Sequence, residues 1–136
     1  MNKKKVDAYI PRAYEILAQT KIASNGEIMK TYRSHISTFG ASVYGGSLLA
    51  TVAFFSNDGT SGEVKVSRSR LMNAIYMLVT GETDPMKVSS RSLFQYICDH
   101  KGETLASERK LREEILDAAI ALKVAMSLYN LVKEND

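Results

Sequence analysis

Two histidines, one cysteine and a set of scattered basic side chains are the groups able to do chemistry in this 136-residue chain. His35 stands beside Ser34 and Ser37 in otherwise apolar surroundings, and His100 follows Asp99 near an expected helix end. A general acid or base needs partners that fix its tautomer and its pKa. The sequence spacing identifies no such partners, and His100 is expected near a helix C-terminus on dipole grounds alone. Two histidines and a single cysteine, scattered, do not form a metal-ligand pattern. Cys98, four residues after Phe94, reads as a small core residue. The loop holding Gly59 and Gly62 lacks both the Lys-Ser/Thr pair and the preceding strand of a phosphate loop. The expectation is a chain with no catalytic residue, no metal and no cofactor.

The cations offer more. Lys30 and Arg33 are three apart and share a helix face. Arg68 and Arg70 flank Ser69 at an expected helix start, where free backbone N–H groups already favour an anion. Lys123 interrupts the small apolar run AAIALKVAM. Together Lys30, Arg33, Arg68, Arg70 and Lys123 are the candidates for a phosphate-facing stripe, a contact type that gives affinity without sequence specificity. Tyr32, Tyr44 and Tyr76 are the aromatic rings that could stack on bases, although a tyrosine on a mostly apolar helix face is more often core.

Net charge is only +3, but it is unevenly spread. Residues 1–101 hold thirteen Lys and Arg against eight Asp and Glu, whereas residues 102–136 hold five against seven. A basic body with a mildly acidic C-terminal helix is compatible with nucleic acid, and equally with the mixed charge that solubility requires. Length and a 45% apolar fraction fit one domain with a substantial core. One cysteine cannot form an internal disulfide. The N-terminal lysines are followed too soon by Asp7, Arg12 and Glu15 for a signal-peptide apolar region. A cytoplasmic protein is expected.

The elements that would position these residues follow from periodicity. Val6, Ile10, Ala13 and Leu17 mark one face of a helix over about 4–22, with Pro11 either starting or kinking it. Ser24-Asn25-Gly26 reads as its stop. A second helix is expected from Glu27 to Thr38, and a third from Ala41 to Ser56 after a break at Gly40. Residues 57–62 form the clearest loop, with a short extended piece at 63–66. Ser67 or Ser69 caps a helix that Gly81 ends, and Asp84-Pro85 signals another start, of a helix irregular through Ser89 and Ser90, regular at Leu93, Phe94, Ile97 and Cys98, and ended before Gly102. Leu111, Ile115, Ala118, Leu122, Ala125, Tyr129 and Val132 alternate steps of four and three, predicting a long last helix. Glu108 precedes Arg112 by four, the favourable order for a surface ion pair. The predicted fold is all-α, a single-domain bundle of about six helices spanning 1–136.

From Ser34 to Asn57 no acidic or basic residue occurs. A stretch that avoids charge is usually one that avoids water. Its apolar density lies only between Leu48 and Phe55, far short of the ~20 residues of a membrane span. Gly40, Ala41, Ser42, Gly45 and Gly46 carry almost no bulk, so another backbone can approach closely. The run is expected to be the central packing element, and the place where the protein meets a partner.

The segments IPRAYEILAQT, NGEIMKTYRSHISTFGASVYGGSLLATVAFFS and EEILDAAIALKVAMSLYNLV, in that order, resemble the small helical subunit of the type III-B CRISPR Cmr effector complex, the fifth of the numbered Cmr proteins. The likeness covers essentially the whole chain. It rests on Tyr32-Arg33, Phe39-Gly40, the glycine before Leu48, Ala53-Phe54, and the C-terminal Ala118, Ala119, Ala121, Leu122 and Lys123. Gly45-Gly46 and Met126 depart from the family pattern. The resemblance implies a non-catalytic subunit beside the repeated backbone subunits, helping to line the channel where guide RNA pairs with target RNA in antiviral defence. It leaves room for self-association within the assembly. A free-standing helical nucleic-acid-binding protein and a small hydrolase using His35 or His100 are the competing readings.

Overall fold

A computed structural model describes residues 1–58 and 66–133. These form helices α1 (Lys3–Gln19), α2 (Lys30–Gly45), α3 (Leu48–Phe55), α4 (Arg68–Thr80), α5 (Ser92–His100) and α6 (Leu105–Met126), with a 3-10 turn at Pro85–Lys87. Strands β1 (Ala23–Ser24), β2 (Glu27–Met29) and β3 (Asn130–Val132) make one small sheet in the order β1-β2-β3. The architecture is a mostly α bundle, as the periodicity predicts. No helix among the described residues is long and apolar enough to cross a membrane.

Helix α6 is the spine. Its 22 residues span ~33 Å at 1.5 Å per residue, and it packs against α1, α2 and α4. Leu111, Ile115, Ala118, Leu122 and Ala125 are buried, and Ala119, Ala121 and Met126 widen the inward face. Its start is doubly fixed. The Thr104 side chain accepts a hydrogen bond from the Ser107 N–H at 3.1 Å, and Ser107 Oγ lies 3.3 Å from the Thr104 N–H that donates to it. This capping box uses serine where glutamate is commoner. Gly102 turns the chain into it with φ 68°, and a Cβ there would overlap the Ser107 side chain.

Helix α1 begins on Asn2, whose side chain accepts from the Lys5 N–H at 3.2 Å. Pro11 lies inside the helix on its exposed side. The lost backbone bond therefore faces water. Val6, Ala13, Ile16 and Leu17 are buried. Gly81 ends α4 in the left-handed conformation, φ 77°, as expected of a C-cap glycine.

Three expectations about the elements are corrected. Ser24-Asn25-Gly26 is not only a helix stop: Asn25 and Gly26 take positive φ of 54° and 77° and form the two-residue turn of a β1–β2 hairpin. Glu27–Met29 is consequently a strand, and α2 starts at Lys30. Helix α2 runs through Gly40 without a break and ends at Gly45, with Gly46 and the Ser47 cap separating it from α3. Residues 130–132 are not helical. They pair in parallel with β2, Glu27 to Asn130, Ile28 to Leu131 and Met29 to Val132. The irregularity expected after Asp84-Pro85 is present: the signal starts a 3-10 turn, and regular helix begins at Ser92. Residues 63–65 of the extended piece and most of the 57–62 loop lie outside the described residues.

The uncharged run is only half buried. Ile36, Phe39, Val43, Leu48, Val52 and Phe55 point into the core. Tyr44 is 83% exposed and Phe54 61%. Gly40 and Gly45 have nothing within 4 Å of an added Cβ. Their lack of bulk is thus not used for packing within this chain. Cys98, expected in the core, is exposed, because the inward face of α5 is set by Leu93 and Ile97.

Gly40→Ala is expected to stabilise the fold by ~0.5–1 kcal/mol, the helix-interior cost of glycine. Gly102→Ala is expected to destabilise it by more than that gain, through left-handed strain and overlap with Ser107. Urea titrations of the two variants against wild type check both signs.

Candidate nucleic-acid interface

The five predicted cations do not form one stripe. Lys30 and Arg33 are exposed on the first turns of α2, which carries no acidic residue there. Cations at a helix N-terminus oppose the macrodipole, so local stability does not explain them. Among the described residues, the Arg12–Glu15 contact at 3.3 Å is the one ion pair, leaving both side chains uncommitted to a carboxylate.

Arg68 and Arg70 are spoken for. Arg68 donates from Nη2 to the Asn57 carbonyl, and its guanidinium carbon lies 4.4 Å from the centre of the Phe54 ring. A cation over an exposed ring is worth about 0.5–1 kcal/mol. Arg70 Nη1 donates to the Tyr32 hydroxyl at 3.2 Å and approaches the Lys21 carbonyl at 3.3 Å. The Tyr32 hydroxyl also accepts the Ser67 N–H at 3.1 Å. A buried phenol must be paired, and Tyr32 is 2% exposed, so Arg70 completes a core contact.

The anion that a basic helix start attracts is internal. Asp58 Oδ1 accepts the Ser69 N–H at 2.9 Å, and Oδ2 accepts the Ser67 and Ser69 hydroxyls at 2.7 and 2.8 Å. Ser67 holds the cap position without capping through its own side chain. Asp58 does that work from nine residues upstream of the cap. Burial pushes the Asp58 carboxyl up, but the bonds from Ser67 and Ser69, with nearby Arg68, outweigh it and hold the group below its ordinary 3.8.

Of the candidate stacking rings, Tyr32 is core and Tyr44 is free at the surface. Tyr76 meets the Tyr96 ring edge-on at 6.2 Å, and Tyr96 stacks on His100 at 4.2 Å. His100 Nδ1 lies 2.9 Å from the Tyr96 carbonyl. Tyr76, Tyr96 and His100 therefore all have structural contacts.

Lys123 lies elsewhere, in a groove of about 590 Å³ between α2 and α6. Ile36, Gly40 and Tyr44 form the α2 wall, while Leu116 and Ile120 lie along α6. Arg109 and Arg112 stand in the same groove as Lys123. The expected Glu108–Arg112 pair is absent among the described residues. Arg112 instead leaves its Nε buried with no hydrogen-bond partner, a state that costs ~1–3 kcal/mol when nothing fills it. Asp117 also borders the groove but is 3% exposed, and it accepts the Asn2 N–H at 3.2 Å. Sequence spacing pairs Arg112 with Glu108 at the surface and gives Arg109 no role. The signal was the spacing 109, 112, 116, 120, 123, a second face of α6 beside the core face.

Among the described residues, no group of three or more His, Cys, Asp and Glu side chains is placed to hold a metal ion. No family model, no curated protein and no solved structure matches the chain.

Asp58→Ala is expected to destabilise the protein by ~1–2 kcal/mol at neutral pH, as loss of a helix cap does. The Asp58 value is lowered on folding, so its contribution is full above the unfolded-chain value near 3.8. It disappears as pH falls through the lower folded value. The stability gap between wild type and Asp58→Ala, measured by urea unfolding from pH 7 downward, should close only in that acid range.

Proposed function

We propose that the protein is a non-catalytic small subunit of a type III-B CRISPR Cmr effector complex. It packs beside the repeated backbone subunits and presents Lys30 and Arg33 to RNA in the channel where guide pairs with target. The observation that carries this reading is the exposed face of α2. Two cations there, with no internal carboxylate, precede an uncharged stripe of Ser37, Gly40 and Tyr44 at helical spacing. Such a face gives phosphates a contact at one end and another backbone a close approach at the other. The family resemblance of the whole chain supports the same assignment.

The contributions of the five cations differ in this reading. Lys30 and Arg33 act on RNA. Arg68 and Arg70 act first on the fold, through Phe54, Asn57 and Tyr32. Lys123 serves the α2–α6 groove. A net charge of +3 is small, so affinity in this role comes from several copies acting together once assembly begins. The second reading, a free-standing nucleic-acid-binding protein, requires the purified monomer alone to shift RNA in a gel.

In the assembled complex, Lys30→Ala with Arg33→Ala should weaken target RNA binding and flatten its salt dependence. Two lost phosphate contacts reduce the slope of log K against log salt by ~1.4–1.8. Arg68→Ala should lower thermal stability while leaving that slope unchanged. An unaltered slope in the double variant removes both residues from the RNA-facing role.

A further inference from the structure

We infer that the α2–α6 groove docks an extended segment of a partner protein, one in which acidic side chains flank a short apolar stretch. The inference rests on the assembly reading for the existence of a partner, and on the groove alone for its chemistry.

The groove carries cations at its two ends, and the interval between them holds Leu116 and Ile120 together with the Glu113 and Asp117 carboxylates. Arg112 and Lys123 are eleven residues apart on α6, a separation of ~16 Å along the helix. Leu116 and Ile120 occupy the interval and face Ile36 across the groove. An extended chain advances ~3.3 Å per residue, so carboxylates about five residues apart match the two cations. Arg109 stands one turn beyond Arg112 and reinforces that end.

Arg112 makes the groove look incomplete. Its Nε is buried without an acceptor, and a guanidinium is shaped to take a carboxylate through two parallel hydrogen bonds. Asp117 forms no ion pair with it among the described residues, and its Oδ1 accepts the Asn2 N–H. Gly40 adds the space: nothing lies within 4 Å of a Cβ built there, so a visiting backbone can lie against α2. A volume of about 590 Å³ falls in the ~300–1,000 Å³ range of ligand pockets. That suits a single strand of side chains and not a helix ~10–12 Å across.

RNA fits this groove poorly. Its floor is apolar, and the Glu113 and Asp117 carboxylates line it among the cations, so a continuous row of phosphates would meet like charge along its length. A segment with isolated carboxylates on an apolar body meets the cations and avoids placing continuous charge along the floor.

The test places the photo-crosslinking residue p-benzoylphenylalanine at Tyr44, which is 83% exposed and borders the groove. The full-length protein is expressed in its native host and irradiated, and cross-linked products are identified by mass spectrometry. The expected product is a defined protein segment with two acidic residues about five apart around apolar ones. Its yield should fall at least tenfold with Arg112→Gln and with Gly40→Leu, and hold with Lys110→Gln, a change off the groove. Arg112→Gln keeps the test decisive if Gly40→Leu folds poorly. Cross-linking to RNA, to another copy of this chain, to a segment without that charge pattern, or to nothing overturns the inference, as does a yield indifferent to Arg112. Co-purification of backbone subunits scores the assembly reading separately. Backbone subunits without the cross-link defeat the groove alone, and the cross-link without backbone subunits defeats the assembly alone.

Discussion

The start of α4 imposes the constraint on which much of the molecule depends. A helix N-terminus beside the core exposes backbone donors that must be satisfied. Here Tyr32 from α2 accepts the Ser67 N–H, and Asp58, ahead of α4, accepts the Ser69 N–H. One knot of a phenol, a carboxylate and two serines thus joins α2, the end of α3 and α4. Arg68 and Arg70 close it from outside, one over Phe54 and one on Tyr32. Their charge is spent on holding the bundle together before any ligand arrives.

This division of labour explains how the surface is organised. Basic residues that look equivalent in sequence fall into three environments. Arg68 and Arg70 complete the knot, Lys30 and Arg33 stand free at the start of α2, and Lys123 joins Arg109 and Arg112 in the α2–α6 groove. The uncharged run supplies the core through Ile36, Phe39, Val43, Val52 and Phe55. Its other side is left as a surface without Asp, Glu, Lys or Arg, on which Gly40 and Gly45 lie open and Tyr44 and Phe54 stand exposed. Covering such a surface requires little desolvation of ions, which suits an interface formed late and through several weak contacts.

The helices were largely legible because burial imposes a 3.6-residue period, and the alternating steps from Leu111 to Ala125 in α6 carry it clearly. What local pattern could not supply was pairing over long separations. Tyr129 and Val132 continue the α6 rhythm, yet the chain leaves the helix after Met126 because β2 offers a parallel partner. Asn25-Gly26 carried a hairpin signal that competes with its reading as a helix stop. Gly40 looked like a breaker because glycine propensity is low, but helical hydrogen bonding and the burial of Phe39 and Val43 override it. At the candidate interface, sequence spacing found the cations and missed their occupations. Asp58 is remote enough from Ser69, and Tyr32 from Arg70, that no local rule links them. Arg112 was assigned to Glu108 by the i,i+4 rule, whereas its side chain turns into the groove.

The parallel pairing of Glu27–Met29 with Asn130–Val132 has a bearing on how the protein is born. On a ribosome the β1–β2 hairpin emerges early, while the strand that covers its open side emerges about a hundred residues later. Throughout that interval β2 offers unpaired amides and carbonyls to any nascent neighbour. The hairpin is only two and three residues long on its two sides, too short a template to hold a foreign strand. Brevity is the safeguard that lets the last strand to be translated find its place.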